Sequence, residues 1–410
     1  MSTGKQRVLQ PQYMKDFICI GGKCEDSCCI GWQVTIDQKT YKKYKKCKDQ
    51  ELARAMNKYV GRNRSNVNEY NYARIRLDDD GSCPFLDEEK LCCIQKRIGE
   101  DYLSITCSTY PRTFNLVNGT LERSATLSCP EIARKVLLVK DPMEFDLIEE
   151  TIGDKLMLQK SIDEEYGTKI QKHFWELRSF VIELLQNRDF GLWERLIVLG
   201  IFVNKVDKLN DENSLADLSN LINSFKQMLG DGTFNDYLAN LPTQSTIQMQ
   251  LIKELLDERV WQGINTKRYL ECIEEVIKGI NYDDQLTIEE IGEHYKNIYE
   301  QYYVPFMLER EYLLENYLVN YIFKSLFPSS PANICEEYLI MVVHYSMIKM
   351  QLIGLAGYHK ESFDEEHIIK LIQSFSKAVE HNTSFISYMI DLLRENNFDS
   401  LAHMAILIKN

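Results

Sequence analysis

The sequence predicts a mainly α-helical protein, in which an irregular, Cys-rich metal-binding N-terminal domain with short β hairpins is followed by an all-α helical domain. Two observations lead to this prediction. Ten of the twelve cysteines lie within the first 129 residues, whereas the seven histidines all follow residue 172. Beyond residue 141, apolar residues recur at helical spacing over long segments. We therefore expect a Cys-rich domain at residues 1–140 and a helical domain at residues 141–410.

In the N-terminal domain, the order of elements follows from local patterns. The segment GWQVTID alternates Trp32, Val34 and Ile36 as a half-buried strand does. A helix is predicted over TYKKYKKCKDQELARAMNKYV, and a strand that ends in a turn over ARIRLDDDG. TFNLVNGTLERS predicts a hairpin around Asn118-Gly119, the pair that a type I′ turn favours. A further helix is expected to begin at Pro130.

The remainder of the chain predicts an all-α bundle. Phe174, Leu177, Val181 and Leu184 form one apolar stripe within residues 170–186, as a core-facing helix requires. The most apolar window, residues 338–357, is interrupted by His344 and Lys349, which favours a buried core helix over a membrane span. The first residues lack the apolar segment of a signal peptide. We thus expect a cytoplasmic protein with no integral membrane segment.

Charge is distributed unevenly between the two predicted domains. The net charge is −13, yet residues 1–140 contain 24 Lys and Arg against 17 Asp and Glu, whereas residues 141–410 contain 24 against 44. An acidic helical domain argues against nucleic acid as a partner and is compatible with a lysine-bearing protein. The simpler alternative is that long helices display solvated Glu faces.

The cysteines form four short motifs that predict a metal site. They are C-x4-C-x3-C-C at residues 19–29, GSCPFLDEEKLCC at 81–93, LSITCSTYPR at 103–112 and SCPE at 128–131. Because no histidine is nearby, a zinc finger with two Cys and two His ligands is excluded, and thiolates alone select zinc, copper(I) or an iron-sulfur cluster. The spacing lacks the paired C-x2-C of a zinc ribbon, and Gly31 stands where a radical-SAM triplet would place its third cysteine. We favour an iron-sulfur cluster, with zinc as the alternative.

Not all cysteines are expected to bind metal. In an extended chain, adjacent side chains point to opposite sides, so Cys28 and Cys29 are not expected to bind the same ion. Either the domain holds two centres or one member of each vicinal pair is a packing residue. The cysteines that we expect to serve packing alone are Cys47, Cys93, Cys272 and Cys335. The basic residues expected to lower the cost of thiolate charge are Lys23, Arg97 and Arg112.

These motifs, together with ENYLVNYIFKSLFP at residues 315–328, resemble the flagellin lysine-N-methylase (FliB) family. The N-terminal part alone also resembles the iron/zinc-chelating cysteine-cluster domain. The resemblance implies methylation of lysine side chains of flagellin, with S-adenosylmethionine as the methyl donor and a four-iron iron-sulfur (4Fe-4S) cluster as a cofactor. It implies a ligand role for Cys19, Cys24, Cys28, Cys29, Cys83, Cys92, Cys107 and Cys129. A four-iron cluster requires only four of these thiolates.

Tyr110 and Arg112, beside Cys107 in TYPR, are our candidate catalytic residues. The alternative is that Tyr110 packs on the cluster and Arg112 pairs with a carboxylate. Glu380 and His381 form a second candidate pair, for proton transfer, although a surface helix end is the simpler interpretation. No Rossmann or P-loop motif indicates where S-adenosylmethionine binds. A competing hypothesis is a non-catalytic, metal-binding scaffold.

Overall fold

The computed structural model describes residues 5–211, 215–283, 285–330 and 333–410. The chain divides into two compact units: Met1–Lys135 with Glu144–Ser161, and Val136–Met143 with Ile162–Asn410. We call them the cysteine unit and the helical unit. The first contains two small sheets joined by short helices, and the second is built from helices, which confirms the predicted mainly α-helical fold.

The larger sheet of the cysteine unit has the strand order β7-β1-β6-β5-β8. Its strands are β1 (Gln6–Pro11), β5 (Arg112–Val117), β6 (Thr120–Ala125), β7 (Phe145–Glu150) and β8 (Leu158–Ile162). β1 runs parallel to β6 and antiparallel to β7, while β5 and β6 form an antiparallel hairpin. The sequence analysis did not identify β1, β7 or β8.

The turn of the β5-β6 hairpin confirms its prediction. Asn118 and Gly119 have φ angles of 48° and 73°, so both central residues are in the left-handed region that a type I′ turn demands. Val8, Phe114 and Leu121 form the buried core of this sheet.

The smaller sheet has the order β2-β4-β3, with β2 at Thr35–Ile36, β3 at Val60–Arg62 and β4 at Ala73–Ile75. The predicted single helix between β2 and β3 is wrong, because α1 (Gln38–Tyr44) and α2 (Gln50–Tyr59) are separate helices. Asp49 causes the break: its carboxylate accepts hydrogen bonds from the amides of Glu51 and Leu52 and so caps a new helix.

Three further helices of the N-terminal region carry or follow cysteines. They are α3 (Cys93–Ile98), α4 (Ile105–Thr109) and α5 (Pro130–Leu137). The start of α5 at Pro130 was predicted. Cys92 is the residue immediately before α3, and Cys129 the residue immediately before α5. Two of the thiols therefore stand at helix N-termini, where backbone N–H groups are available to anions.

The helical unit contains long, amphipathic or fully buried helices. They are α6 (Phe174–Leu185), α7 (Leu192–Asp211), α8 (Leu218–Gly230), α9 (Thr233–Ala239), α10 (Ser245–Trp261), α11 (Lys267–Gly279), α12 (Ile288–Ile298), α13 (Val304–Met307), α14 (Tyr312–Ser325), α15 (Ile334–His359), α16 (Glu365–Phe375), α17 (Thr383–Glu395) and α18 (Leu401–Ile408). The predicted stripe on α6 is buried, with Phe174, Leu177, Val181 and Leu184 each at most 1% exposed. Two π-helical segments, Tyr299–Tyr303 and Ser376–Glu380, interrupt this pattern.

α15 is the central helix of this unit and packs against α7, α11, α16 and α18. By length and composition alone, Ile334–Ser362 could cross a membrane, but 94% of its most apolar window is buried inside the protein. This burial confirms the prediction of a core helix.

The motif ENYLVNYIFKSLFP lies mainly on α14 and anchors that helix through polar contacts. The Glu315 carboxylate, fully buried, pairs with Arg195 of α7 at 2.6 Å and with Arg188 at 2.8 Å. Tyr317 and, two turns after it, Lys324 contact the same carboxylate, that of Glu380. Because a buried charge must be paired, these contacts fix how α14 is oriented in its unit.

Candidate metal centre

Five cysteines of the cysteine unit form what we call the inner thiol group: Cys28, Cys29, Cys83, Cys92 and Cys107. Four of them, all except Cys28, pack against one apolar core that includes Phe85 and Leu103. Backbone pairing brings the segments together, since the Cys83 amide donates to the Cys29 carbonyl at 2.8 Å. The Cys93 amide likewise donates to the Phe85 carbonyl at 2.7 Å. Three of the four predicted cysteine motifs thus meet in this core.

Hydrogen-bond donors surround the sulfurs of this group. The amides of Ile94 and Gln95, in the first turn of α3, lower the pKa of Cys92, and the Phe85 amide lowers that of Cys83. The Ser104 hydroxyl has the same effect on Cys107. Amide and hydroxyl donors that point at sulfur stabilise the thiolate form, which is the form that binds metals.

Burial nevertheless outweighs these donors. Burial raises the pKa of Cys83 to about 11 and that of Cys107 to about 12, and the neighbouring thiols add to both shifts. At neutral pH the thiols of Cys83 and Cys107 are therefore neutral unless a cation is bound. A metal that displaces these protons would turn the mutual repulsion of the thiolates into attraction to the metal.

The remaining three predicted ligands, Cys19, Cys24 and Cys129, form what we call the outer thiol group. Burial raises the pKa of Cys129 to about 12, while the amides of Ile132 and Glu131 oppose that shift and the thiols of Cys24 and Cys19 add to it. Cys19 itself is exposed.

An ion pair holds the segments of the outer thiol group together. Arg134, on α5 after Cys129, pairs with Glu25, beside Cys24. This contact joins the fourth cysteine motif to the first.

Within residues 5–211, 215–283, 285–330 and 333–410, no three His, Cys, Asp or Glu side chains form a group that could hold a metal ion. The cysteines of each thiol group are therefore related by shared packing and by the effect of each thiol on the pKa of its neighbours, not by the geometry of a metal site.

The vicinal pair Cys28 and Cys29 does not have the extended geometry that the sequence prediction assumed. A hydrogen bond with the Cys28 thiol is the largest cause of the raised pKa of Cys29, so the two thiols interact with each other. The physical reason is that both residues lie in a turn, where the Ile30 amide bonds the Ser27 carbonyl, and the alternation of an extended strand does not apply.

The candidate catalytic residue Tyr110 lies between the two thiol groups. Its hydroxyl is 3.1 Å from the Ser128 hydroxyl, and its ring centroid is 5.5 Å from that of Trp32. Burial raises the pKa of Tyr110 far above its usual value, and the thiols of Cys129 and Cys28 add to this shift. Tyr110 is therefore a packed, protonated side chain that interacts electrostatically with a thiol of each group.

Arg112 begins β5, and its guanidinium lies over the Phe17 ring at 5.2 Å. Burial lowers its pKa, and the Cys19 thiol opposes this shift. Arg112 is thus a predicted cation that lies near a thiol, that of Cys19. Arg97 was also expected to support the thiolates, but it is committed to Asp49 and Glu51 on α2 instead.

The cysteines that were expected to serve packing have varied environments. Cys47 and Cys93 pack against the same core as the inner thiol group. Cys272 is buried in the helical unit, 4.0 Å from the Ser374 hydroxyl, and Cys335 is half-buried.

The expectation that Glu380 stands at a surface helix end is wrong. Its side chain is 5% exposed and accepts hydrogen bonds from Tyr317, Lys324 and Ser376. The burial of Glu380 was not predicted because this residue ends a π-helical segment, which places it differently from a residue in an ideal α-helix. His344 was expected in a buried core helix, and it is 1% exposed, but the lack of hydrogen-bond partners for its ring nitrogens among the described residues was not predicted.

Comparison with known proteins adds independent information. The model of the FliB lysine N-methylase C-terminal domain matches residues 178–407. Lysine-N-methylases of Salmonella typhimurium and Salmonella choleraesuis are each 24% identical over 413 residues, covering 97% of this chain and 98% of the relative.

A shorter relative is the flagellar biosynthetic protein FliU of Salmonella muenchen. It is 36% identical over 138 residues, which covers 33% of this chain and 80% of FliU. No solved structure matches the chain. Because the family model covers more than half of the chain, the protein belongs to the FliB lysine N-methylase family.

Proposed function

We propose that this protein is a protein-lysine N-methyltransferase that methylates flagellin with S-adenosylmethionine as the methyl donor. The observation that carries the proposal is the match, over 97% of the chain, to proteins named lysine-N-methylase, together with the family model over the helical unit. Flagellin is proposed as the substrate because the family resemblance implies it and because FliU is named a flagellar biosynthetic protein. The cytoplasm is the compartment in which we expect the reaction.

We assign a 4Fe-4S cluster to the inner thiol group because the family resemblance implies such a cluster and four of the five thiols of this group pack on one core, although no three side chains of the described residues are already arranged as a metal site. The group supplies enough thiols for four cluster ligands, with donors that favour thiolate. Because Cys29 shares a hydrogen bond with Cys28, we assign the ligand roles to Cys28, Cys83, Cys92 and Cys107 and a supporting role to Cys29. When bound, such a cluster supplies irons that exchange one electron and take thiolate ligands. Zinc is the alternative metal for this thiolate site.

The reaction sets physical requirements that any site in this protein must meet. A lysine ammonium has a pKa of about 10.4 and is not nucleophilic until it loses its proton, so the site must desolvate it or place a base nearby. The neutral amine must then lie in line with the sulfonium methyl group. Tyr110 and Arg112, between and beside the two thiol groups, are our candidates for substrate or donor contacts.

The acidic charge of residues 141–410 supports a lysine-bearing partner. Lysines on a protein substrate would be attracted to such a surface, and the attraction would weaken as salt concentration rises. Nucleic acid is disfavoured as a partner for the same reason.

The test is a methyl-transfer assay. The protein, purified without oxygen, is incubated with flagellin and S-adenosylmethionine, and flagellin lysines are examined by mass spectrometry. We expect methylated lysines only when the enzyme and the methyl donor are both present. If protein with a full complement of metal transfers no methyl group, the proposal fails and the non-catalytic scaffold hypothesis is favoured.

A further inference from the structure

A polar group in the core of the helical unit includes none of the residues assigned to the metal centre or to methyl transfer. We call it the Glu380 group and define it as Tyr317, Lys324, His344, Ser376 and Glu380. The Glu380 carboxylate accepts hydrogen bonds from the Tyr317 hydroxyl at 2.9 Å, the Lys324 ammonium at 2.9 Å and the Ser376 hydroxyl at 3.0 Å. A carboxylate has room for about four such bonds, so it can accept one more.

The backbone at this place is unusual. Ser376–Glu380 forms a π-helical segment directly after α16, and Glu380 is its last residue. The wider turn inserts an extra residue into the helix and is found often at functional sites. Tyr317 and Lys324 are seven residues apart on α14, which puts them on one face of that helix.

The His344 side chain destabilises the folded protein, because its polar ring nitrogens are buried without hydrogen bonds to described residues. It is 1% exposed, and neither ring nitrogen has a hydrogen-bond partner within the described part of the chain. Its ring meets those of Tyr321 and Phe375 edge to face, with centroid distances of 6.0 and 5.7 Å. A neutral imidazole carries one donor and one acceptor, and leaving both unpaired in a core is unfavourable. A phenylalanine would pack there without that penalty.

The charges of the group define the ligand it suits. Burial lowers the pKa of His344 to about 4, so this ring is neutral near pH 7. Although burial alone would raise it, Lys324 and His344 hold the pKa of Glu380 at about 2, so this carboxylate is ionised. The next carboxylate, Glu337, accepts hydrogen bonds from the amides of Ser329 and Ser330.

One cation and one anion thus stand 2.9 Å apart, within electrostatic range of a neutral imidazole whose ring nitrogens have no hydrogen-bond partner among the described residues. A purely anionic ligand would be repelled by Glu380, and a purely cationic one by Lys324. A ligand group with both charges satisfies both residues. The group also has a connection to solvent, since the Lys324 side chain is 16% exposed.

We propose that the Glu380 group binds the zwitterionic α-amino acid end of a small ligand. Lys324 contacts its carboxylate, Glu380 accepts from its ammonium group, and His344 finds the hydrogen-bond partners that it lacks among the described residues. In a lysine methylase, the ligand with this chemistry is the methionine end of the sulfonium methyl donor. That last assignment rests on the proposed function, whereas recognition of an amino acid group does not.

The test is direct binding by calorimetry to the full chain, purified without oxygen, with S-adenosylhomocysteine and, separately, with free methionine. We expect His344→Phe and Lys324→Met to weaken binding by about tenfold or more. Lys349→Met, which removes a buried lysine outside the group, is the matched control and should bind as the unmodified protein does. Thermal unfolding provides a second readout, because His344→Phe should unfold at the same or a higher temperature.

The outcomes separate this inference from the proposed function. Weakened binding by the two variants supports the site even if flagellin is never methylated, and the two ligands show whether a free amino acid or the methyl donor is its source. Unchanged binding by both variants, equal weakening by Lys349→Met, or absence of binding to the unmodified protein would each overturn the inference. A loss of binding that accompanies a lower unfolding temperature in His344→Phe would assign it a structural role and also overturn it.

Discussion

At the residue scale, the buried lysine of α15 shows how strongly the surroundings of a side chain set its chemistry. Lys349 is 5% exposed, donates to the Ile408 carbonyl at 2.9 Å and lies near the rings of Tyr299 and Tyr345. Burial lowers its pKa to about 7, against a usual value of 10.5. The unfolded chain therefore binds one more proton than the folded protein between these two pH values.

This difference predicts how stability depends on pH. Because the unfolded state is protonated at Lys349 and the folded state is not, stability contributed by this residue rises with pH from about 7 towards 10.5. Between pH 7 and pH 9 the rise should approach about 1 kcal/mol per pH unit. Urea unfolding of the unmodified protein and of Lys349→Met at several pH values measures it. Parallel pH profiles for the two proteins would show that Lys349 does not titrate in this range.

The cysteines show which features of single residues could be predicted from the sequence and which could not. The motifs predicted a site assembled from distant segments, because thiols so dense in sequence are rarely accidental, and cysteines of three motifs do share one core. The division into an inner and an outer thiol group was not predictable, since it depends on which thiols share the core around Phe85. The mutual approach of Cys28 and Cys29 was missed because it depends on a turn rather than on an extended strand.

At the element scale, the close contact of α11 with α15 depends on glycine. A methyl group on Gly279 would collide with the Gly354 carbonyl oxygen, and one on Gly354 would come within 2.8 Å of Val276. The two helices can therefore approach this closely only without side chains at these positions.

We predict that Gly279→Ala destabilises the protein by about 1–3 kcal/mol, because the two backbones must move apart. Gly230→Ala is the matched control, since Gly230 also ends a helix, α8, but a methyl group there would meet nothing within 4 Å. That variant should be neutral or more stable by about 0.4–1 kcal/mol. Denaturant unfolding of both variants measures the difference, and equal stabilities would contradict the packing argument.

The elements with strong local signals were predicted, and those that depend on distant partners were not. The β5-β6 hairpin was found from Asn118-Gly119, and α6 from its apolar stripe. β1, β7 and β8 were missed, because the parallel pairing of β1 with β6 joins residues more than a hundred positions apart. β7 in particular has no fully buried residue, so its sequence shows little alternation.

At the scale of the whole molecule, the two units contain different parts of the proposed function. The cysteine unit supplies the thiols and the two TYPR residues, whereas the helical unit supplies the match to the family model and the Glu380 group. Length, cysteine distribution and helical periodicity predicted the mainly α-helical fold. The interior polar group could not be predicted, because it combines residues of α14, α15 and a π-helical segment.

The central claim is that the inner thiol group holds the metal centre on which methyl transfer depends. The most direct measurement is methylation of flagellin lysines, by mass spectrometry, with unmodified protein, Cys107→Ser and Cys47→Ser, alongside the iron content and visible spectrum of each. Cys47 packs on the same core but is not an assigned ligand, so it controls for loss of packing. We predict full iron and methyl transfer for the unmodified protein and Cys47→Ser, and loss of both for Cys107→Ser. Methyl transfer by Cys107→Ser at the unmodified rate, or none by any of the three proteins with iron bound, would contradict the account.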